Sequence, residues 1–148
     1  MSSSDDARRA IEVRCLAALA RREHSRTELV AKLGDYDAAD ITAVLDDLAA
    51  RGWQSDVRFA ESYLRGHSGY GRLKMRHELE MRGIRGELLR DTLESADWFA
   101  AARAVYQKKY STPASTPQER AKRQRFMAQR GFSYEEIQQA MTATQDET

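Results

Sequence analysis

The chain is poor in the residues that punctuate or staple small folds. It has one cysteine and two prolines in 148 residues, and aromatic side chains make up 8%. A single thiol forms no internal disulfide, which excludes a disulfide-built scaffold and points to a reducing, cytoplasmic setting. No apolar run approaches the roughly 18 to 20 residues of a membrane span; the stretch from Cys15 to Ala20 is typical and far shorter. The N-terminal stretch holds Asp5 and Asp6 where a secretory signal has its apolar core, so no membrane partner is expected. Convincing alternation of apolar and polar residues is also missing. Leu, Ala, Glu and Arg are prominent instead, and they favour helix over a β-sandwich.

The residue sets that carry catalysis are equally scarce. Cys15 sits beside Ile11, Leu16 and Leu19, the setting of a buried, inert thiol rather than an activated nucleophile. His24, His67 and His77 have spacings that put no two on one helical face. His77-Glu78-Leu79-Glu80 holds half of a zinc-protease pattern but lacks the second histidine. Gly66 to Gly71 contains glycines without the spacing or preceding strand of a phosphate loop, and reads as a flexible connection. The expectation is a non-enzymatic protein with no cofactor, no metal and no catalytic residue.

What is present is strongly patterned. The formal net charge of +1 hides an uneven distribution. Residues 1–56 carry 8 basic and 11 acidic side chains, residues 57–130 carry 16 and 8, and residues 131–148 carry none and 4. A middle this basic attracts a polyanion or an acidic protein surface, while acidic ends suppress indiscriminate binding.

Helix starts are marked by three Ser/Thr-x-x-Glu capping boxes: Ser25 with Glu28, Thr116 with Glu119, and Ser133 with Glu136. Stops fall at Gly34, Gly52, Gly83 and Gly131, read as left-handed caps. Joining them predicts helices near 6–22, 26–33, 37–51, 56–65, 71–82, 86–95, 97–110, 117–130 and 133–143. A shift of 48 residues lays Leu79 on Met127, Arg82 on Arg130, Gly83 on Gly131, Ile84 on Phe132, Leu89 on Ile137 and Leu93 on Met141. The same shift carries Tyr36, Ile41 and Leu45 onto Ile84, Leu89 and Leu93, whereas Leu29 and Leu33 reach Met75 and Leu79 with a shift of 46. The first repeat is thus two residues shorter at its turn.

The fold class expected is all-α, with three tandem three-helix repeats stacked into an elongated, curved array. Repeat 1 spans 6–53, repeat 2 spans 54–96, repeat 3 spans 97–143, and an acidic tail follows at 144–148. Periodicity alone leaves a generic helical repeat of the HEAT type open. Tyr36, Ile84 and Phe132 each precede a third helix and are placed to staple onto Ile41, Leu89 and Ile137.

The candidate binding residues are Arg72, Lys74, Arg76 and Arg82 on the fifth helix, and Arg120, Lys122, Arg123, Arg125 and Arg130 on the eighth. Lys108 and Lys109 extend them, and regular stacking would align all of these into one basic stripe. Tyr70 and Tyr110 lie beside it, placed either to stack on exposed bases or to pack into the core.

Phe59-Ala60-Glu61-Ser62-Tyr63-Leu64, Gly69-Tyr70-Gly71-Arg72-Leu73, Glu78-Leu79 and Arg82-Gly83-Ile84 together resemble the characteristic segment of the RecX regulatory proteins. Arg130-Gly131-Phe132-Ser133 with Ile137 is similar to that family's C-terminal signature. Ser55-Asp56 stands where the family usually has an acidic pair, and Ser55 is still able to cap the fourth helix. The resemblance implies a bacterial modulator of the RecA recombinase in DNA repair, homologous recombination and the SOS response. Such a protein lies in the groove of the RecA–DNA filament and restrains ATP hydrolysis, strand exchange and coprotease activity. The partner it implies is the RecA filament, with single- or double-stranded DNA as a further ligand and a monomer as the binding unit. The alternative is an autonomous DNA-binding protein acting without the recombinase.

Overall fold

A computed structural model describes residues 3–146, leaving Met1, Ser2, Glu147 and Thr148 outside the described residues. These residues form nine helices and no strand: α1 (Ser3–Arg21), α2 (Arg26–Ala31), α3 (Ala38–Ala50), α4 (Asp56–Gly66), α5 (Arg72–Met81), α6 (Gly86–Glu94), α7 (Trp98–Lys109), α8 (Pro117–Gln129) and α9 (Tyr134–Asp146). The all-α, tandem three-helix expectation is met. Of the acidic tail expected at 144–148, the backbone continues α9 to Asp146; Glu147 and Thr148 lie outside the described residues.

The buried residues repeat with the sequence. Ile41, Val44 and Leu45 on α3, Leu89, Thr92 and Leu93 on α6, and Ile137, Ala140 and Met141 on α9 occupy equivalent inward positions at i, i+3 and i+4. Ahead of them Leu33, Leu79 and Met127 are each almost wholly buried at the end of a second helix. Thr92, the polar member of the set, turns its hydroxyl onto the carbonyl of Leu88 at 2.7 Å, so its burial leaves no unpaired donor.

Three hydrophobic cores result. One gathers Ile11, Cys15, Leu29, Leu33, Val44, Leu45 and Leu48. The second gathers Phe59, Tyr63, Met75, Leu79, Ile84, Leu89 and Leu93 together with Trp98, which opens α7. The third is built on Tyr106, Met127, Phe132, Ile137 and Met141. Separate cores in chain order leave more surface than one shared core would. The accessible surface is 9195 Å², against roughly 7,700 Å² for a compact monomer of this mass.

The helix signals hold with two instructive exceptions. Ser25 and Ser133 make complete capping boxes with Glu28 and Glu136, and Ser55 caps α4 through the amide of Arg58. Thr116 accepts from the amide of Glu119, but that carboxylate turns to the amide and hydroxyl of Ser115 instead of closing the box. Gly34 does not adopt positive φ, unlike Gly83 (83°) and Gly131 (96°). In repeats 2 and 3 the amides of Ile84 and Phe132 reach back to Leu79 and Met127, a five-residue closure that requires a left-handed residue. The shorter first turn closes with Tyr36 donating to Leu33, and a three-residue closure has no such requirement.

Candidate partner interface

The eleven cationic side chains singled out from sequence divide into those bound within the fold and those left free. Arg82 ion-pairs with Glu78 at 2.8 Å, lies 3.7 Å from Glu28 of α2 and covers the Tyr63 ring at 4.8 Å. It clamps the first repeat to the second. Arg123 donates to the Tyr106 hydroxyl at 2.9 Å and the Thr112 carbonyl at 2.7 Å, and lies 4.3 Å over Tyr110. It ties the 111–116 loop down. The repeat itself carried that signal, because a shift of 48 lays buried Met75 on Arg123, an inward position in the third repeat.

Lys74 lies over the Tyr70 ring at 4.4 Å, while Lys109 and Arg130 cover Phe126 at 4.7 and 4.9 Å. Tyr70 and Tyr110 are thereby packed against the cores and under cations, which leaves neither ring free for a base. Of the two roles open to them in sequence, the structure selects packing. Burial pushes the Tyr110 hydroxyl above its ordinary pKa, with Arg123 opposing the shift.

Five of the cations expected to align in one stripe border two grooves. Arg72 and Arg76 border a groove of about 610 Å³ with Leu73 and Phe99, and Glu135 and Glu136 stand in the same wall. Arg76 is already paired with Glu80 at 3.1 Å. Lys108, Lys109 and Arg130 border a second groove, of about 650 Å³, floored by Ala101, Ala104, Val105 and Phe126. Among the described residues, Arg72, Lys108, Arg120, Lys122 and Arg125 are exposed and have no carboxylate partner. Of the eleven, they are the cations available to a partner at no cost in internal contacts.

The segment read as a flexible connection is a packed seam. The Gly71 amide donates to the Arg130 carbonyl at 2.6 Å, and the Leu73 amide to that of Gly131 at 3.1 Å. A Cβ on Gly71 would lie 2.4 Å from backbone atoms of Gly131 and Phe132. The residues that carry the family resemblance are therefore chiefly core and seam. Phe59, Ala60, Tyr63, Leu79 and Ile84 are buried, and Gly83 and Gly131 fit against Thr27 and Lys74.

Comparison with known proteins decides the family. Residues 55–93 match the model of the second three-helix domain of RecX and residues 95–141 that of the third. Regulatory protein RecX of Chromohalobacter salexigens is 43% identical over 136 residues, covering 88% of this chain and 90% of that one. This chain belongs to the RecX family. The RecX of Pseudomonas entomophila is 40% identical, with 93% of each chain covered. The crystal structure of RecX from Lactobacillus salivarius superposes with a TM-score of 0.80 at 21% identity, covering 95% of this chain and 98% of that one. RecX membership makes this a regulatory protein on the tandem three-helix fold. Among the described residues no helix is long and apolar enough to cross a membrane.

Proposed function

We propose that this protein modulates a RecA-type recombinase in the cytoplasm as a non-enzymatic monomer. It binds in the groove of the recombinase–DNA filament and restrains ATP hydrolysis, strand exchange and coprotease activity. The observation that carries the reading, beside family membership, is a group of exposed cations without a carboxylate partner among the described residues of the second and third repeats, Arg72, Lys108, Arg120, Lys122 and Arg125 among them. Repeats with the boundaries 6–53, 54–96 and 97–143 act as linked contact units on successive filament subunits. Weak contacts joined in one chain add through effective concentration. Restraint follows if the array binds one filament state better than the other.

The test is ATP hydrolysis by the cognate recombinase on single-stranded DNA, titrated with this protein at about 0.1 M salt, where surface attraction is already well screened. Inhibition well below the protein level that coats bare DNA supports filament regulation. No effect until the DNA is saturated favours the second reading, an autonomous DNA binder. The free cations of α8 support that reading too, and it requires a log–log salt slope of roughly 0.7 to 0.9 per phosphate neutralised. The partly buried Tyr70 and Tyr110 weigh against it, since Lys74 and Arg123 already cover the rings a base would stack on.

A further inference from the structure

The first repeat carries a separate cationic groove that the sequence pattern does not announce. Residues 1–56 are acidic in sum, and at least four of their eight basic side chains are ion-paired. Arg8 pairs with Asp40, Arg22 with Glu28, Arg26 with Asp46, and Arg51 with Glu12 and Asp47. Arg14, Arg21 and Lys32 are exposed and have no carboxylate partner among the described residues. All three border one groove of about 350 Å³ between α1 and α2. Its floor is apolar, with Ala17 and Ala18 at the surface over the buried Leu29 and Leu33, and no acidic residue lines it. Arg14 rests against Tyr36, 6.0 Å from its ring, which holds the guanidinium at one end.

In a repeat with surplus acid, unpaired cations would be expected to find carboxylates. These three instead converge on apolar surface, the arrangement that recognises a ligand combining negative charge with a greasy face. Arg14 and Arg21 are seven residues apart on one helix, about 10 Å along its axis. A helical ligand with acidic residues at the same interval repeats that distance, with apolar residues between them to fill the floor. Nucleic acid fits less well. An acidic repeat repels an extended polyanion beyond the three contacts, and the alanine and leucine floor offers no ring or donor to a base.

We propose that the α1–α2 groove of the first repeat docks an acidic amphipathic helix of a protein partner, independently of the basic residues on repeats 2 and 3. Arg14, Arg21 and Lys32 would flank its carboxylates, and Ala17 and Ala18 would receive its apolar side. The test uses the full chain and two labelled probes followed by fluorescence anisotropy. One is an amphipathic helical peptide of about five turns with leucine on one face and glutamate flanking it; the other is oligothymidylate. Arg21→Glu with Lys32→Glu weakens peptide binding by at least about tenfold and leaves oligothymidylate unchanged. Ala17→Trp, which fills the groove without changing a charge, weakens the peptide to a similar degree and keeps the proposal testable if the double variant misfolds. Absence of peptide binding by the wild-type chain overturns the proposal. So does peptide affinity that both variants leave intact, or a charge reversal that costs oligothymidylate as much as the peptide.

Discussion

The two seams between repeats are made of different materials. Between the first and second repeats the following contacts each use at least one side chain. Arg82 reaches Glu28, Arg58 pairs with Glu23 at 3.0 Å, the Arg26 amide donates to Asp56 at 2.9 Å, and the Gln54 amide group donates to the His24 carbonyl. A cavity of about 410 Å³ remains there, lined by Arg22, Glu28, Tyr63 and Arg82 among others. Between the second and third repeats the contacts are main chain on main chain at Gly71 and Gly131, and Trp98 of α7 sits inside the middle core. A polar, partly exposed seam responds to salt and pH and tolerates side-chain change. A seam of backbone and buried ring does neither, so the second and third repeats should behave as the stiffer pair.

Substitutions at the glycines test that contrast most severely. Gly71→Val should destabilise by about 3 kcal/mol or more, because its Cβ would meet main-chain atoms that have nowhere to move. A thermal melt would show it as a fall of roughly 10 °C, and a wild-type melt would mean the second seam is not as described. Gly131→Ala and Gly83→Ala both force an L-residue into the left-handed region, at about 1–2 kcal/mol. They should differ in whether they can be rescued. A Cβ at Gly83 meets only the Thr27 side chain, whereas at Gly131 it lies 2.5 Å from the Lys74 amide nitrogen. Thr27→Gly should therefore offset part of the Gly83→Ala loss in a double-mutant cycle, with a coupling of about 1 kcal/mol. Additive losses would break the argument.

Smaller effects belong to the polar seam. Arg82→Met keeps an apolar stem on Tyr63 but removes the charge, and should cost under about 1 kcal/mol at low salt. The difference from wild type should shrink towards 1 M salt, while that of Gly71→Val should not. A parallel salt response in both variants would erase the distinction between seams. The smallest effect is acid sensitivity at Glu28. Partial burial pushes its carboxyl up, but the Arg22 hydrogen bonds and the Ser25 amide outweigh this and hold it below its ordinary 4.5. The folded state then binds fewer protons than the unfolded one, so the stabilisation is present above pH 4.5 and drains away as the pH falls below it. Glu28→Gln should flatten that part of the melting profile, and an unchanged profile would place the acid response elsewhere.

Much of the fold is legible from residue order. Periodic apolar positions, capping boxes and turn glycines are local or repeat at fixed intervals, so helix identity and the 48-residue register can be read directly from them. The exceptions were also local chemistry in competition. Gly34 lost its left-handed role because a turn two residues shorter closes differently. Thr116 lost half its box because Ser115 offers Glu119 two donors.

The candidate interface was less legible, for a reason of range. Sequence determined how many cations each region carries, which helices bear them and where the repeats turn. Whether a given arginine is free depends on which carboxylate or ring tertiary packing brings near it. Arg123 and Arg125 are two residues apart, yet one is bound to Tyr106 and Thr112 while the other is exposed. Likewise the trio of Arg14, Arg21 and Lys32 shares a groove only because tertiary packing brings Lys32 to the face of α1 that carries the two arginines. The fold follows from a pattern the chain repeats along itself, whereas its binding surfaces follow from the pairings that packing completes and those it leaves open.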